Sequence, residues 1–188
     1  MGLTAIDPGL RPEPTLIGTT VITARWHYRF DDPYWRLYRN RQDGAWIDHG
    51  RVRTPLAAGR AYLLPPRAGC RSGCQGQVEH AYIQFRLDVP GAALWPPPVT
   101  ALPADAALHQ ALDALWSDDG ATRLLCAQAA VALALARLLA GAPRTVRAAI
   151  AAQVAARAPV ALALECLHAD RSAPPPVAAL AARCGLTP

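Results

Sequence analysis

The chain has 188 residues, 52% of them apolar and 18% charged, which excludes an intrinsically disordered segment and leaves room for one sizeable domain with a smaller appendage. All 19 basic residues are arginine and the net charge is +5, yet the arginines are scattered and none of the predicted helices carries a run of them, so the excess fits a GC-rich gene better than a nucleic-acid-binding stripe. No signal-peptide pattern opens the chain, the apolar run from Ala129 to Ala136 is too short to span a bilayer, and the five cysteines are widely spaced; a cytoplasmic protein with reduced thiols and no membrane attachment is expected.

Residues 1–15 carry Asp7-Pro8-Gly9 and Arg11-Pro12-Glu13-Pro14 and read as an arm without periodicity. From Leu16 to about Leu87, short strands alternate with turns. Thr20 to Phe30 is expected as one strand, with Ala24, Trp26, Tyr28 and Phe30 on one face and Thr23, Arg25, His27 and Arg29 on the other. Asp31-Asp32-Pro33 breaks it, Tyr34 to Asn40 follows, and Gln42-Asp43-Gly44 signals a hairpin. Trp46 to His49, Val52 to Leu56 and Ala61 to Leu64 continue the series, with turns at Gly50 and at Ala58-Gly59. Gly69 to Gly76 reads as a hairpin tip, and Val78 to Leu87 as a closing strand with His80, Tyr82 and Gln84 opposite Ala81, Ile83 and Phe85. Strands this short hide their edges by closing up or by folding into two sheets.

Pro96-Pro97-Pro98 and Pro103 mark a change of architecture. Leu108, Leu112 and Leu115 predict an amphipathic helix over 104–117, ended by Asp118-Asp119-Gly120. A longer helix over 121–140 carries Leu124, Val131, Leu135 and Leu138 on a stripe of period near 3.5, which suits either packing on the strands or a two-fold dimer seam. Val146, Ile150 and Val154 give 144–157 a narrow stripe, as in a linker helix, and Val160, Leu164 and Leu167 gather on another helix. After Pro174-Pro175-Pro176, an apolar face of Val177, Leu180 and Ala181 predicts a last helix, with Arg183 in its final turn and Gly185 past its end. Leu186 can fold back on that helix, and Thr187-Pro188 has the form of an N-cap and first position of a further helix.

The order Trp35-Arg-Leu-Tyr38, Asp43-Gly44, Pro55-Leu-Ala-Ala-Gly59, Tyr62-Leu-Leu-Pro-Pro66 and His80-Ala-Tyr-Ile-Gln-Phe85 resembles the cupin-type effector domain of AraC-family transcriptional regulators, and the final thirty residues resemble the start of their helix-turn-helix domain. The resemblance implies an α+β protein: a cupin-like β-barrel (double-stranded β-helix or jelly roll) over 16–100, a dimerisation and linker region over 104–157, and a truncated DNA-binding domain over 158–188. It favours the dimer seam for Leu124, Val131, Leu135 and Leu138, and hence a homodimer. It implies a small-molecule effector as partner, and promoter DNA only in a full-length context, because the base-reading side chains would lie beyond Pro188.

Metal-binding cupins carry two histidines, a carboxylate and a later histidine, a set missing here; no His-x-His occurs. Cys70, Cys74 and His80 would lack a fourth ligand, and Ser72, Ser117 and Ser172 lack an activating motif, so neither metal, cofactor nor catalytic residue is expected. A pocket is the better candidate, lined by polar and aromatic side chains from Arg25, His27, Arg36, Tyr38, Arg41, Trp46, His80, Tyr82 and Gln84. By resemblance to arabinose-responsive regulators, His80 and Arg41 would contact a sugar. Two other readings remain open: a stand-alone cupin enzyme, such as a sugar isomerase or dioxygenase, and a dimer-forming fragment that titrates a longer partner.

Overall fold

Breaks rich in Pro, Gly and Asp cut the first half of the chain into short strands. The computed structural model describes residues 12–87, 98–117, 119–152, 154, 155, 167 and 175–184. Among these, nine strands form: β1 (Glu13–Ile22), β2 (Arg29–Phe30), β3 (Trp35–Asn40), β4 (Ala45–His49), β5 (Val52–Pro55), β6 (Ala61–Leu64), β7 (Cys70–Cys74), β8 (Val78–Arg86) and β9 (Thr100–Ala101). They make two antiparallel sheets, ordered β1-β8-β3-β6-β9 and β2-β7-β4-β5. With the helices that follow, the protein is α+β. The described strands do not close into one barrel, because no ladder joins the two sheets.

Alternation along the strands separates two cores. Phe30, Tyr38, Ile47, Leu64, Cys70 and Val78 meet between the sheets. The opposite face of the five-stranded sheet buries Trp35, Leu37, Leu63, Ile83 and Phe85. On that face Arg39 donates to the His109 carbonyl at 2.5 Å and pairs with Asp113 at 3.1 Å, both in α1 (Ala106–Asp113). A 3-10 turn (Ala114–Trp116) follows, and then α2 (Gly120–Gly141), which packs on α1 and β1. Asp105 caps α1 by accepting from the Leu108 N–H at 2.9 Å; Asp119 caps α2 by accepting from Ala121 and Thr122 at 3.1 and 3.2 Å.

Several expectations need correction. The stretch from Thr20 to Phe30 is not one strand: β1 ends at Ile22, the Trp26 N–H closes a turn on the Thr23 carbonyl at 2.8 Å, and pairing resumes only at Arg29, in the other sheet. Trp26 and Phe30 are therefore buried while Ala24 and Tyr28 are exposed. Asp43-Gly44 makes no hairpin. Gly44, at φ 120°, carries the chain from β3 in one sheet to β4 in the other, while the Asp43 carboxylate accepts from the Ala58 N–H at 2.7 Å. The two-strand hairpin lies instead at Gly50, φ 58°, between β4 and β5. The expected tip at Gly69 to Gly76 contains a strand, β7, between two positive-φ glycines.

In α2, Val131, Leu135 and Leu138 are buried within a single chain, so they form the packing face rather than a free seam; of the four stripe residues only Leu124 is exposed, beside Leu125. By length and a mean hydropathy of 1.9, α2 is the one helix among the described residues that could cross a bilayer, but it buries Val131, Leu135 and Leu138 together with Ala127, Ala130 and Ala134.

The chain divides into two compact units; both sheets, α1 and α2 belong to the one formed by Pro12–Leu87 and Gly91–Pro143. The other contains Arg144–Pro188, with helical residues 144–152, buried Ile150 and Val154, and the short helix Val177–Arg183 expected from the apolar spacing. The expected arm over 1–15 is too long at its end, since Glu13 and Pro14 already pair with Arg86 and Phe85 in β1; residues 1–11, Asp118, the expected helix around Val160 and Leu164, and the turn from Gly185 to Pro188 lie outside the described residues.

Candidate functional site

β1 is an edge strand of one sheet and β2 an edge strand of the other, and residues of both line one concavity. A cavity of about 550 Å³ lies there. β8 contributes His80, Tyr82 and Gln84; β3 contributes Arg36 and Tyr38; β1 contributes Leu16, Thr20 and Ile22; and the segment leading into and past β2 contributes Arg25, Trp26, Phe30 and Asp32. The period of two puts alternate residues of β3 and β8 on this inner face and their neighbours on the helix side.

His80 is the centre of the site. Its ring lies 4.7 Å from that of Tyr38, 5.1 Å from Trp26 and 5.9 Å from Tyr82, which stacks on it. Burial holds its pKa down, to about 3, so the imidazole is neutral. The Asn40 side-chain amide donates from Nδ2 to the Leu56 carbonyl at 3.3 Å, which turns its Oδ1 toward His80 Nδ1 at 2.7 Å. An amide oxygen only accepts, so Nδ1 carries the proton and Nε2 keeps its lone pair. Among the described residues Nε2 has no hydrogen-bond partner. The cavity thus contains a neutral acceptor framed by aromatic rings.

The charge at the other end is compensated. Arg36 is only 2% exposed, and its guanidinium binds both carboxylate oxygens of Asp32, donates to the Tyr34 carbonyl at 3.2 Å and lies 4.6 Å over the Phe30 ring. Tyr82 lies across Gly18 of β1, its cross-strand partner; a Cβ at residue 18 would stand 2.5 Å from the Tyr82 hydroxyl. Burial also raises the pKa of Tyr38, which keeps its phenol protonated.

Of the site residues predicted from sequence, His80, Tyr82, Gln84, Tyr38 and Arg25 line this cavity, and Arg36 with them. Three do not. Trp46 is on the outer face of the four-stranded sheet, because Ala45 and Ile47 take the inner positions of β4; its indole lies on Gly73, donates to Asp48 at 3.1 Å and is covered by the Arg53 guanidinium at 4.4 Å. Arg41 is one residue past the end of β3, paired with Glu79 at 3.0 Å and stacked on Trp116 at 4.3 Å. His27 is exposed and away from the lining. Asp32 went unrecognised: Asp31-Asp32-Pro33 signals a strand break, and nothing local announces that one carboxylate turns back to a buried arginine four residues on.

Cys70 and Cys74 lie on one face of β7, as expected. Burial pushes the Cys70 thiol up to about 11 and raises that of Cys74 as well; the first contacts the Ala68 carbonyl at 3.4 Å and the second that of Ile22 at 3.8 Å. These are core thiols, not thiolates. Among the described residues no three His, Cys, Asp or Glu side chains gather in a way that could hold a metal ion. What the cavity can do is bind: rings to stack on, hydroxyls at Thr20 and Tyr82, an amide at Gln84, and one fixed acceptor at His80. No protein-family model matches this chain, and no curated protein matches it.

Proposed function

We propose that this chain is the ligand-sensing portion of an AraC-type transcriptional regulator, with the two sheets as its cupin-like jelly roll and the cavity around His80 as its effector site. The observation that carries the reading is the neutral, oriented histidine inside an aromatic box. A ring-bearing polar molecule with a hydroxyl donor, such as a sugar, satisfies His80 Nε2 and stacks on Trp26 or Tyr82. The helix Val177–Arg183 is read as the first helix of the helix-turn-helix. Effector binding then shifts how paired DNA-binding domains are presented in a full-length homodimer, a coupling between sites and not a catalytic step. Promoter DNA is a partner of that longer protein, and this chain alone binds it weakly or not at all.

Thermal unfolding with a panel of sugars, sugar acids and small aromatics, each with and without a chelator, tests the reading. A ligand at about a hundred times its dissociation constant adds about 2.7 kcal/mol. The midpoint should rise for one compound class irrespective of chelator, and His80→Leu should abolish that rise while Trp46→Phe, on the outer face, preserves it. A midpoint that responds only to the chelator would support a metal-dependent enzyme instead.

A further inference from the structure

The outer face of the four-stranded sheet carries a second concavity, of about 660 Å³, lined by Arg29, Arg51, Arg53, Arg71 and Asp48, with Gly50 and Gly69 at its margins. The register places Arg29 opposite Arg71, Arg71 opposite Asp48 and Asp48 opposite Arg53, so four strands contribute one continuous row. Arg53 is already engaged: it grips Asp48 through two bonds of 2.8 and 2.9 Å. Arg29 pairs with Asp31 at 2.5 Å, with both side chains more than half exposed. The side chains of Arg71 and Arg51 have neither an ion pair nor a hydrogen bond among the described residues. Like charges directly opposite on a ladder are destabilising, and Arg29 faces Arg71; the carboxylates nearest them are Asp31, exposed and paired with Arg29, and Asp48, opposite Arg71 but held by Arg53. The two glycines leave the margins open, since a Cβ on either would meet nothing within 4 Å.

From this placement we infer that the outer face of the four-stranded sheet is an anion site for a compact, multiply charged oxyanion of the phosphate class, seated on Arg71, Arg51 and Arg29. Several guanidinium forks on one ligand suit an anion whose charge exceeds one and whose oxygens accept in several directions. Such an anion offsets the opposed pair Arg29 and Arg71. Asp48 limits its size, because a long polyanion laid along the row would meet that carboxylate two strands from Arg29. Arg29 lines the edge of both concavities, but Arg51 and Arg71 line only this one, so the site stands whether or not the sensor reading does.

Calorimetric titration of the intact chain with inorganic pyrophosphate tests it. Arg51→Ser with Arg71→Ser should weaken binding by about tenfold or more. Arg60→Ser with Arg144→Ser removes the same charge elsewhere and should leave affinity unchanged. Asp48→Asn, which frees the Arg53 guanidinium, should tighten it several-fold, an effect that unfolding cannot mimic. No binding by the wild-type chain, or equal loss in both double variants, overturns the site. A short DNA duplex that displaces pyrophosphate and binds more tightly overturns the compact-ligand assignment in favour of a nucleic-acid backbone.

Discussion

At the scale of single residues, the neutrality of His80 has a consequence for stability. Its folded pKa, about 3, lies below its ordinary value of 6.5 because burial disfavours the imidazolium. Below pH 6.5 the unfolded chain takes up a proton that the folded one refuses, so stability is lost as pH falls toward 3 and is fully present above 6.5. The slope is about 1.4 kcal/mol per pH unit for one such proton. The acid side chains with lowered pKa values, Asp48, Glu79, Asp105 and Asp119, lose their contribution only as pH drops below the usual carboxylate range. Chemical denaturation between about pH 6 and 5 therefore isolates His80, and His80→Leu should flatten the profile there. Two glycines make a second test. A Cβ at Gly73 would stand 2.4 Å from the Trp46 indole, pinned by Asp48 and Arg53; Gly73→Ala should cost about 1–3 kcal/mol. Gly18→Ala should instead push the Tyr82 ring toward the cavity, changing ligand response more than the unfolding midpoint.

At the scale of elements, periodicity located the strands and helices but could not say what covers each face. The closing strand is legible because His80, Tyr82 and Gln84 alternate strictly with Ala81, Ile83 and Phe85, and both sets are used, one by the cavity and the other by the helix-side core. Trp46 misleads because an aromatic beside a turn looks like a pocket residue, whereas its neighbours Ala45 and Ile47 decide which way it points. The stretch through Trp26 fails as a strand because Ser72, distant in sequence, accepts from the Tyr28 N–H at 2.8 Å and donates to the Trp26 carbonyl at 3.2 Å; a side chain there takes the place of ladder bonds. The stripe of α2 was legible as a stripe, and its partner was not. Because Leu135 and Val131 are buried within one chain, Leu135→Ala should cost about 2–4 kcal/mol and Val131→Asp should prevent folding. Leu125→Asp, at a position 65% exposed, should leave the denaturant midpoint within about 0.5 kcal/mol. Equal sensitivity at Leu125 would mean that this exposed face is covered in solution.

At the scale of the whole molecule, the α+β composition followed from the order of patterns, strands first and helices after. Sheet membership did not, because it depends on pairings between residues far apart, such as Thr20 with His80 and Ile47 with Ser72, which no local signal encodes. The same pairings decide which part of the chain the cavity needs. Every residue that lines it lies between Leu16 and Gln84, and the face of β3 and β8 turned away from it is closed by α1 and α2, which end within the same unit at Gly141. A chain ending at Pro143 should consequently unfold in one cooperative transition and show the same ligand-induced rise in midpoint as is expected of the full 188 residues. Ending it at Pro103 instead strips the cover from Trp35, Leu37 and Ile83, and that chain should expose enough apolar surface to aggregate. If the longer truncation folds but loses the ligand response, residues beyond Pro143 complete the binding site, and sensing and output share a single structural element rather than communicating between two.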